Sequence, residues 1–182
     1  GIINHYEYII NSEGTIEIRH VLKPEGKMPL WFPRIGLTLT VSDALDQVKW
    51  YGRGPQENYP DRKTGYPTGI YASTVQAMYE PYLMPQDYGL RTDVRWLQLT
   101  TDKGIGLQFK MNEWFNFNIY PYSTDNLTKA MYTYQLQKQK GMTLNLDYAT
   151  TGVGCTARGV FGAYKAMPQE YRRTISIRPM MK

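Results

Sequence analysis

The sequence predicts an all-β fold, an antiparallel sandwich or large curved sheet, on three observations. Short runs alternate apolar and polar residues along most of the 182 positions, and clusters of Gly, Pro, Asn and Asp separate those runs at close spacing. Only one stretch, residues 123–137, carries the apolar period of a helix. The length fits a single domain over residues 1–182, long enough to bury a core without staples.

Taken in order, residues 3–10 and 15–22 flank Asn11-Ser12-Glu13-Gly14 and read as a β-hairpin, with Ile16, Ile18 and His20 on one face. His5 and His20 are the only histidines, and both fall in strands, so they read as sheet residues. A Pro/Gly loop at 23–29 leads to a strand in which Leu37, Leu39 and Val41 alternate with Thr38 and Thr40. Leu45–Trp50 is a further short strand. It feeds the densest polar stretch of the chain, Gly54-Pro55-Gln56-Glu57-Asn58-Tyr59-Pro60-Asp61-Arg62. Two prolines and a glycine set the backbone there while Glu57, Asn58, Asp61 and Arg62 supply hydrogen-bonding groups, the composition of a specified functional or interface loop. Pairing of its own charges is the equally simple reading.

Residues 64–90 hold five tyrosines among Pro and Gly and read as a structured surface segment, since disordered tracts lack such aromatic content. Arg91, Asp93 and Arg95 then alternate along an expected strand, which predicts an Arg-Asp-Arg ion-pair ladder on one face. Strands are expected at 94–100, 106–111 and 115–120. Ser123 is a good N-cap for the helix, with Leu127, Ala130, Met131 and Tyr134 as its packing stripe and Lys138 to Gly141 closing it. Leu144 and Leu146 mark a strand over 143–148, the small-residue loop 150–159 follows, and 171–178 is the last strand.

Several chemistries are excluded. Gly152-Val153-Gly154 lacks the Lys-Ser/Thr ending of a phosphate-binding loop and the third Gly of a dinucleotide fingerprint. Cysteine and histidine ligand spacings are absent, so no metal or cofactor is expected. Cys155 is the single cysteine, reads as a small packing residue, and fits a reducing compartment or a bacterial periplasm equally. The net charge of +5 is spread rather than clustered, which argues against nucleic acid. No apolar run reaches the roughly 18 residues of a membrane-spanning helix. Gly1 opening directly on a strand, with no initiator Met, is the start expected of a piece of a longer protein. Unaided, the residues support a β domain with two aromatic and polar loops suited to sugars.

The two dense clusters, Trp50–Arg62 and then Tyr82, Pro85-Gln86, Gly89-Leu90-Arg91 and Arg95, resemble the C-terminal domain of the large bacterial β-galactosidases of glycoside hydrolase family 2. Pro33-Arg34-Ile35-Gly36, Phe117-Asn118-Ile119, Tyr122-Ser123, Leu144-Asn145-Leu146-Asp147 and Gly152-Val153-Gly154 follow in the family's order. The resemblance implies a supersandwich of the galactose-mutarotase kind, represented here by the C-terminal portion of that domain. It implies that the catalytic glutamates lie in a barrel outside this chain, that the rest of the β-galactosidase polypeptide and a β-galactoside are the partners, and that Glu57, Asn58, Asp61, Arg62 and Arg91 shape and fasten the domain. A tryptophan that stacks on the sugar in the family falls at about Arg158 here, so Thr156 and Arg158 stand as the substrate-binding residues. Tyr132 replaces a usual histidine, and Asp87 a usual glutamate. The alternatives are a stand-alone carbohydrate-binding module without catalysis and, behind it, a mutarotase-type epimerase. An edge-exposed sandwich of this kind is also expected to self-associate.

Overall fold

The computed structural model describes residues 1–155 and 158–181. Nine strands form one antiparallel sheet: β1 (Ile2–Ile10), β2 (Ile16–Pro24), β3 (Arg34–Val41), β4 (Gln47–Arg53), β5 (Thr68–Thr74), β6 (Arg91–Thr100), β7 (Gly106–Tyr120), β8 (Met142–Thr150) and β9 (Tyr171–Met180). The main path runs β1-β2-β9-β7-β6-β4-β5, and β3-β8 branches from β7.

The fork lies in β7. The two runs expected at 106–111 and 115–120 are halves of this one strand of 15 residues. β6 lines one edge of both halves. On the other edge Gly106–Met111 pairs with β9 and Asn116–Tyr120 pairs with β8. Asn112-Glu113-Trp114 stays extended between partners, so the hydrogen-bonding neighbour changes while the strand continues. Residues from both arms fill one core, including Trp50, Leu97, Leu99, Phe109, Phe117, Leu144, Leu146 and Ile175, each at most 1% exposed. Burying each such side chain contributes on the order of 1.5–3 kcal/mol. The arrangement is that of an all-β sandwich.

β1 and β2 form the expected hairpin, and Gly14 occupies the left-handed region (φ 76°) that closes its turn. Ile18 and His20 are buried. His20 is a sheet residue, bonded to the Tyr148 hydroxyl at 2.7 Å and Asn4 Oδ1 at 3.0 Å, and its burial lowers the imidazole pKa. β5 lies inside the segment read as structured surface, where no strand is expected from the sequence. Its residues alternate exposed with half-buried, and it pairs only with β4.

The helix is shorter than its apolar period predicts. α1 spans Thr124–Lys129, with Ser123 Oγ accepting from the Asn126 amide at 3.1 Å, and ends at an extended Ala130. The Gln135 side chain accepts from the Met131 and Tyr132 amides at 2.8 and 3.2 Å, and a 3-10 turn follows at Thr133–Gln135. Side-chain capture of these amides replaces the next helical turn. Leu127 and Ala130 are therefore buried while Met131 and Tyr134 face solvent. A satellite core of Tyr88, Tyr120 and Leu127, flanked by Tyr79, Tyr82, Tyr122 and Leu136, sits under α1 and absorbs much of the tyrosine-rich segment.

The Arg91-Asp93-Arg95 ladder does not form. β6 shifts register between Arg91 and Val94 and again between Val94 and Trp96, and Asp93 takes φ 54°. The strict alternation needed to align three side chains is thereby lost. Asp93 pairs with Arg53 at 2.6 Å and Lys63 at 2.7 Å. Arg91 is buried over the Trp50 ring and donates to the Gly89 carbonyl at 2.9 Å. Arg95 stacks on Trp114 at 3.9 Å and donates to the Asp93 carbonyl. Cys155 is exposed and so is not the packing residue expected: it bridges to Arg158 through backbone hydrogen bonds in the surface loop after β8.

Candidate functional site

The loop Gly54–Arg62 leaves β4 and is held by its own polar side chains. Glu57 is 7% exposed and accepts four hydrogen bonds: from Arg62 Nη2 at 2.7 Å, the Tyr82 hydroxyl, the Tyr59 hydroxyl at 3.0 Å and the Gly89 amide at 2.9 Å. Burial by itself would raise this carboxyl. The four donors outweigh burial, and the pKa is lowered. Asn58, fully buried, accepts from the Thr92 amide and hydroxyl and donates to the Gln56 carbonyl, which ties the loop to β6.

Asp61 faces the other way. Its carboxylate accepts from the Val153 amide at 3.0 Å and the Gly154 amide at 2.7 Å, so one end of the first dense cluster holds the loop that follows β8. Gly152 is required at this contact, because a Cβ there would lie 2.5 Å from both Asp61 oxygens. Arg158 is exposed at the far end of the same loop. Thr156 lies outside the described residues. The structure thus brings Glu57 and Arg62 together, sends Asp61 to the loop that bears Arg158, and leaves Arg91 packed over the Trp50 ring.

Between these loops and α1 opens a cleft of about 850 Å³. Five separate stretches line it: Trp31 to Arg34 at the start of β3, the Tyr59 to Arg62 turn, Tyr82 to Asp87, Thr124 and Thr128 of α1, and the end of β8 with the loop beyond it. Arg34 and Asp87 line its floor and join a buried polar network behind it that sequence reasoning missed. Arg34 donates to Asp147 through Nη2 at 2.6 Å and Nε at 3.2 Å, to Asn118 Oδ1 at 3.2 Å and to Asp87 Oδ1 at 3.3 Å. Asp87 Oδ1 also accepts from Asn118 Nδ2 and the Tyr120 hydroxyl, each at 3.0 Å, and Asn145 Nδ2 joins Asn118 Oδ1 and Tyr120.

β8 explains how this is built. Leu144 and Leu146 face the apolar core, while Thr143, Asn145 and Asp147 face the other side and are also buried. Gly36 lets β3 approach: a Cβ there would sit 2.6 Å from Asp147 Cα, at the register shift that brings Arg34 over the carboxylate. Burial lifts the Asp147 carboxyl to about 6 against the pull of Arg34. Burial also acts to lower the Arg34 pKa, but with two carboxylates beside it the guanidinium stays above its ordinary value. The signal available in the sequence was the ordered motifs, because Arg34, Asn118 and Asp147 come from three of them. Among the described residues, no group of three or more His, Cys, Asp or Glu side chains is placed to hold a metal ion.

A family model described as β-galactosidase small chain matches residues 2–177. The β-galactosidase of Priestia megaterium (strain DSM 319 / IMG 1521) is 38% identical over 147 residues, which is 81% of this chain and 14% of that protein. That of Vibrio cholerae serotype O1 is 39% identical over 150 residues, 82% of this chain and 14% of the relative. That of Lactococcus lactis subsp. lactis is 35% identical over 152 residues, 81% and 14% respectively. The chain therefore spans a small part of the curated relatives it matches.

Proposed function

Because this chain belongs to the β-galactosidase small chain family, we propose that it works as one domain of a larger glycoside hydrolase, supporting a sugar site whose catalytic carboxylates belong to a separate barrel. The observation that carries the reading is Asp61 clamping the Val153 and Gly154 amides, which fixes the base of the loop bearing Arg158. A wall that must meet a sugar in another domain needs such a rigid base, since a loop free to move by an ångström loses its positioning value. Arg158 stands at the exposed end of that loop and is the residue assigned to the sugar; Thr156, assigned with it from the sequence, lies outside the described residues. A guanidinium can donate in a bidentate way to vicinal hydroxyls, where an aromatic ring can only stack.

Glu57 is unsuited to hydrolysis. Four donors hold its carboxylate, so it has no free oxygen with which to attack or to carry a proton. Retaining hydrolysis of a terminal β-galactoside needs two carboxyl groups about 5 Å apart across the bond, and on this reading the barrel supplies both.

The test is turnover of p-nitrophenyl β-galactoside. The 182-residue chain alone should release no nitrophenol. The Priestia megaterium enzyme carrying this chain in place of its matching segment should do so, and Arg158→Ala in that chimera should raise KM more than it lowers kcat. Turnover by the isolated chain would overturn the reading.

A further inference from the structure

The cleft has features that a supporting wall does not require. Asp87 gathers three donors on Oδ1, from Arg34, Asn118 and Tyr120, while no described residue reaches its Oδ2 and 45% of the side chain is exposed. The neighbouring Gln86 amide is also exposed and makes no hydrogen bond among the described residues. Trp31 stands in the wall of the cleft, 38% exposed. The floor is thus a carboxylate fixed on one oxygen and open on the other, beside a free amide and an indole.

We propose that this cleft is a saccharide-binding site of the chain's own, with Asp87 Oδ2 accepting from ring hydroxyls, Gln86 serving one hydroxyl as donor and acceptor, and Trp31 covering the apolar C–H face of the sugar. Planar polar groups locked by buried partners, set beside an aromatic face, are the chemistry that separates a sugar from water. Both guanidiniums in the cleft are occupied, and the other cation nearby, Lys165, has its Nζ 5.6 Å from the Trp31 ring centroid. Arg34 and Arg62 are each committed to carboxylates, namely Asp147 and Asp87 for the first and Glu57 for the second, so no guanidinium is left for a phosphate or sulfate. A volume of about 850 Å³ accommodates one or two hexose units. The site deepens the preceding reading by giving this chain direct contact with the sugar class that the whole enzyme handles, but it needs no barrel to form.

Methyl β-D-galactopyranoside and methyl β-D-glucopyranoside, titrated into the 182-residue chain by calorimetry and followed by tryptophan fluorescence, test it. At least one should bind saturably, with a dissociation constant on the order of a millimolar, as expected for a ligand of this size. Gln86→Ala occupies an exposed position and should leave the urea midpoint unchanged, Trp31→Ala should lower it modestly with the fold retained, and each should weaken binding about fivefold or more. Asp87→Asn should weaken it similarly, and inorganic phosphate should not compete. Lack of saturation by both glycosides, binding indifferent to Trp31→Ala and Gln86→Ala together, or displacement by phosphate would each overturn the proposal. The supporting role fails on a different result, turnover by the chain alone, so the two can be refuted separately.

Discussion

Glu57→Gln is the sharpest test of how the first polar loop is held. The parent carboxylate satisfies four donors, two on each oxygen, and is 7% exposed. The amide keeps one oxygen, which can still serve Tyr59 and the buried Gly89 amide. Its NH2 then faces Arg62 and Tyr82. Tyr82 can turn its hydroxyl to accept, but Arg62 cannot, and it swings to solvent, where 49% of its side chain already lies. The variant therefore loses one charge-assisted bond outright and the charge on three others. Hydrogen bonds to charged groups contribute about 1.5–3 kcal/mol each, and a partner as exposed as Arg62 brings the sum to about 2–3 kcal/mol. At about 2–4 °C per kcal/mol for a domain of this size, the melting temperature should fall by about 5–10 °C. The pH dependence gives a second check. The folded pKa of Glu57 lies below the ordinary 4.5, so the ionised group stabilises above that value, and the benefit is lost as the pH falls through the folded pKa. Urea unfolding followed by tryptophan fluorescence should show the parent–variant gap at full size at pH 7 and closing in acid. A gap under about 0.5 kcal/mol at pH 7, or one that widens in acid, would refute the account of the loop.

The same physics gives three further expectations. Gly152→Ala places a methyl group 2.5 Å from the Asp61 oxygens and should cost about 1–3 kcal/mol in urea unfolding; in an Asp61→Ala background the added cost should nearly vanish, and additivity of the two changes would contradict the clamp. Asn58→Asp keeps the shape but buries a carboxylate beside the Gln56 carbonyl, and should destabilise by about 3 kcal/mol or more at pH 7, recovering in part as the pH is lowered toward 4. The folded Asp147 pKa is raised to about 6, so its contribution to stability is complete below the ordinary 3.8 and is lost as the pH rises through 6. His20, lowered by burial, acts in the opposite sense below its ordinary 6.5, so the diagnostic is a difference: parent minus Asp147→Asn stability should grow as the pH drops from 7.5 to 5, and a flat difference would refute the assignment.

The strands were legible because one face of each is apolar and period two is a strong signal when only one face is buried. Where the structure departs from the period, local interactions intervene that the period does not register. Gln135 captured two amides that the helix needed, and the two register shifts in β6 sent Arg91, Asp93 and Arg95 to three different environments. β5 escaped notice because an edge strand paired on one side only keeps much of both faces wet, and Thr68, Ile70 and Ala72 all remain exposed. The Gly54–Arg62 loop was legible as specified but not in its direction. Nothing in the spacing tells that Glu57 closes the loop on itself while Asp61, four residues later, reaches 92 positions along the chain to Val153.

The cleft floor was hidden for a more general reason. Alternation of Leu144 and Leu146 with Thr143, Asn145 and Asp147 is the pattern of a strand with a wet outer face, and a strand buried on both faces is expected to be apolar throughout. β8 is buried on both faces and polar on one, because Arg34 and Asn118 supply the hydrogen bonds that solvent would otherwise provide. Those partners lie 113 and 27 positions away from Asp147 and Asn145 respectively, on strands paired to either edge of β8. A buried polar face is costly unless every member finds a partner. The network is therefore all-or-none: losing Arg34 strands a carboxylate, losing Asn118 unties both Asp87 and Asn145, and losing Gly36 prevents the close approach of β3. The three ordered motifs that hold these residues are separate in sequence because each belongs to a different strand, and the fold makes them one object.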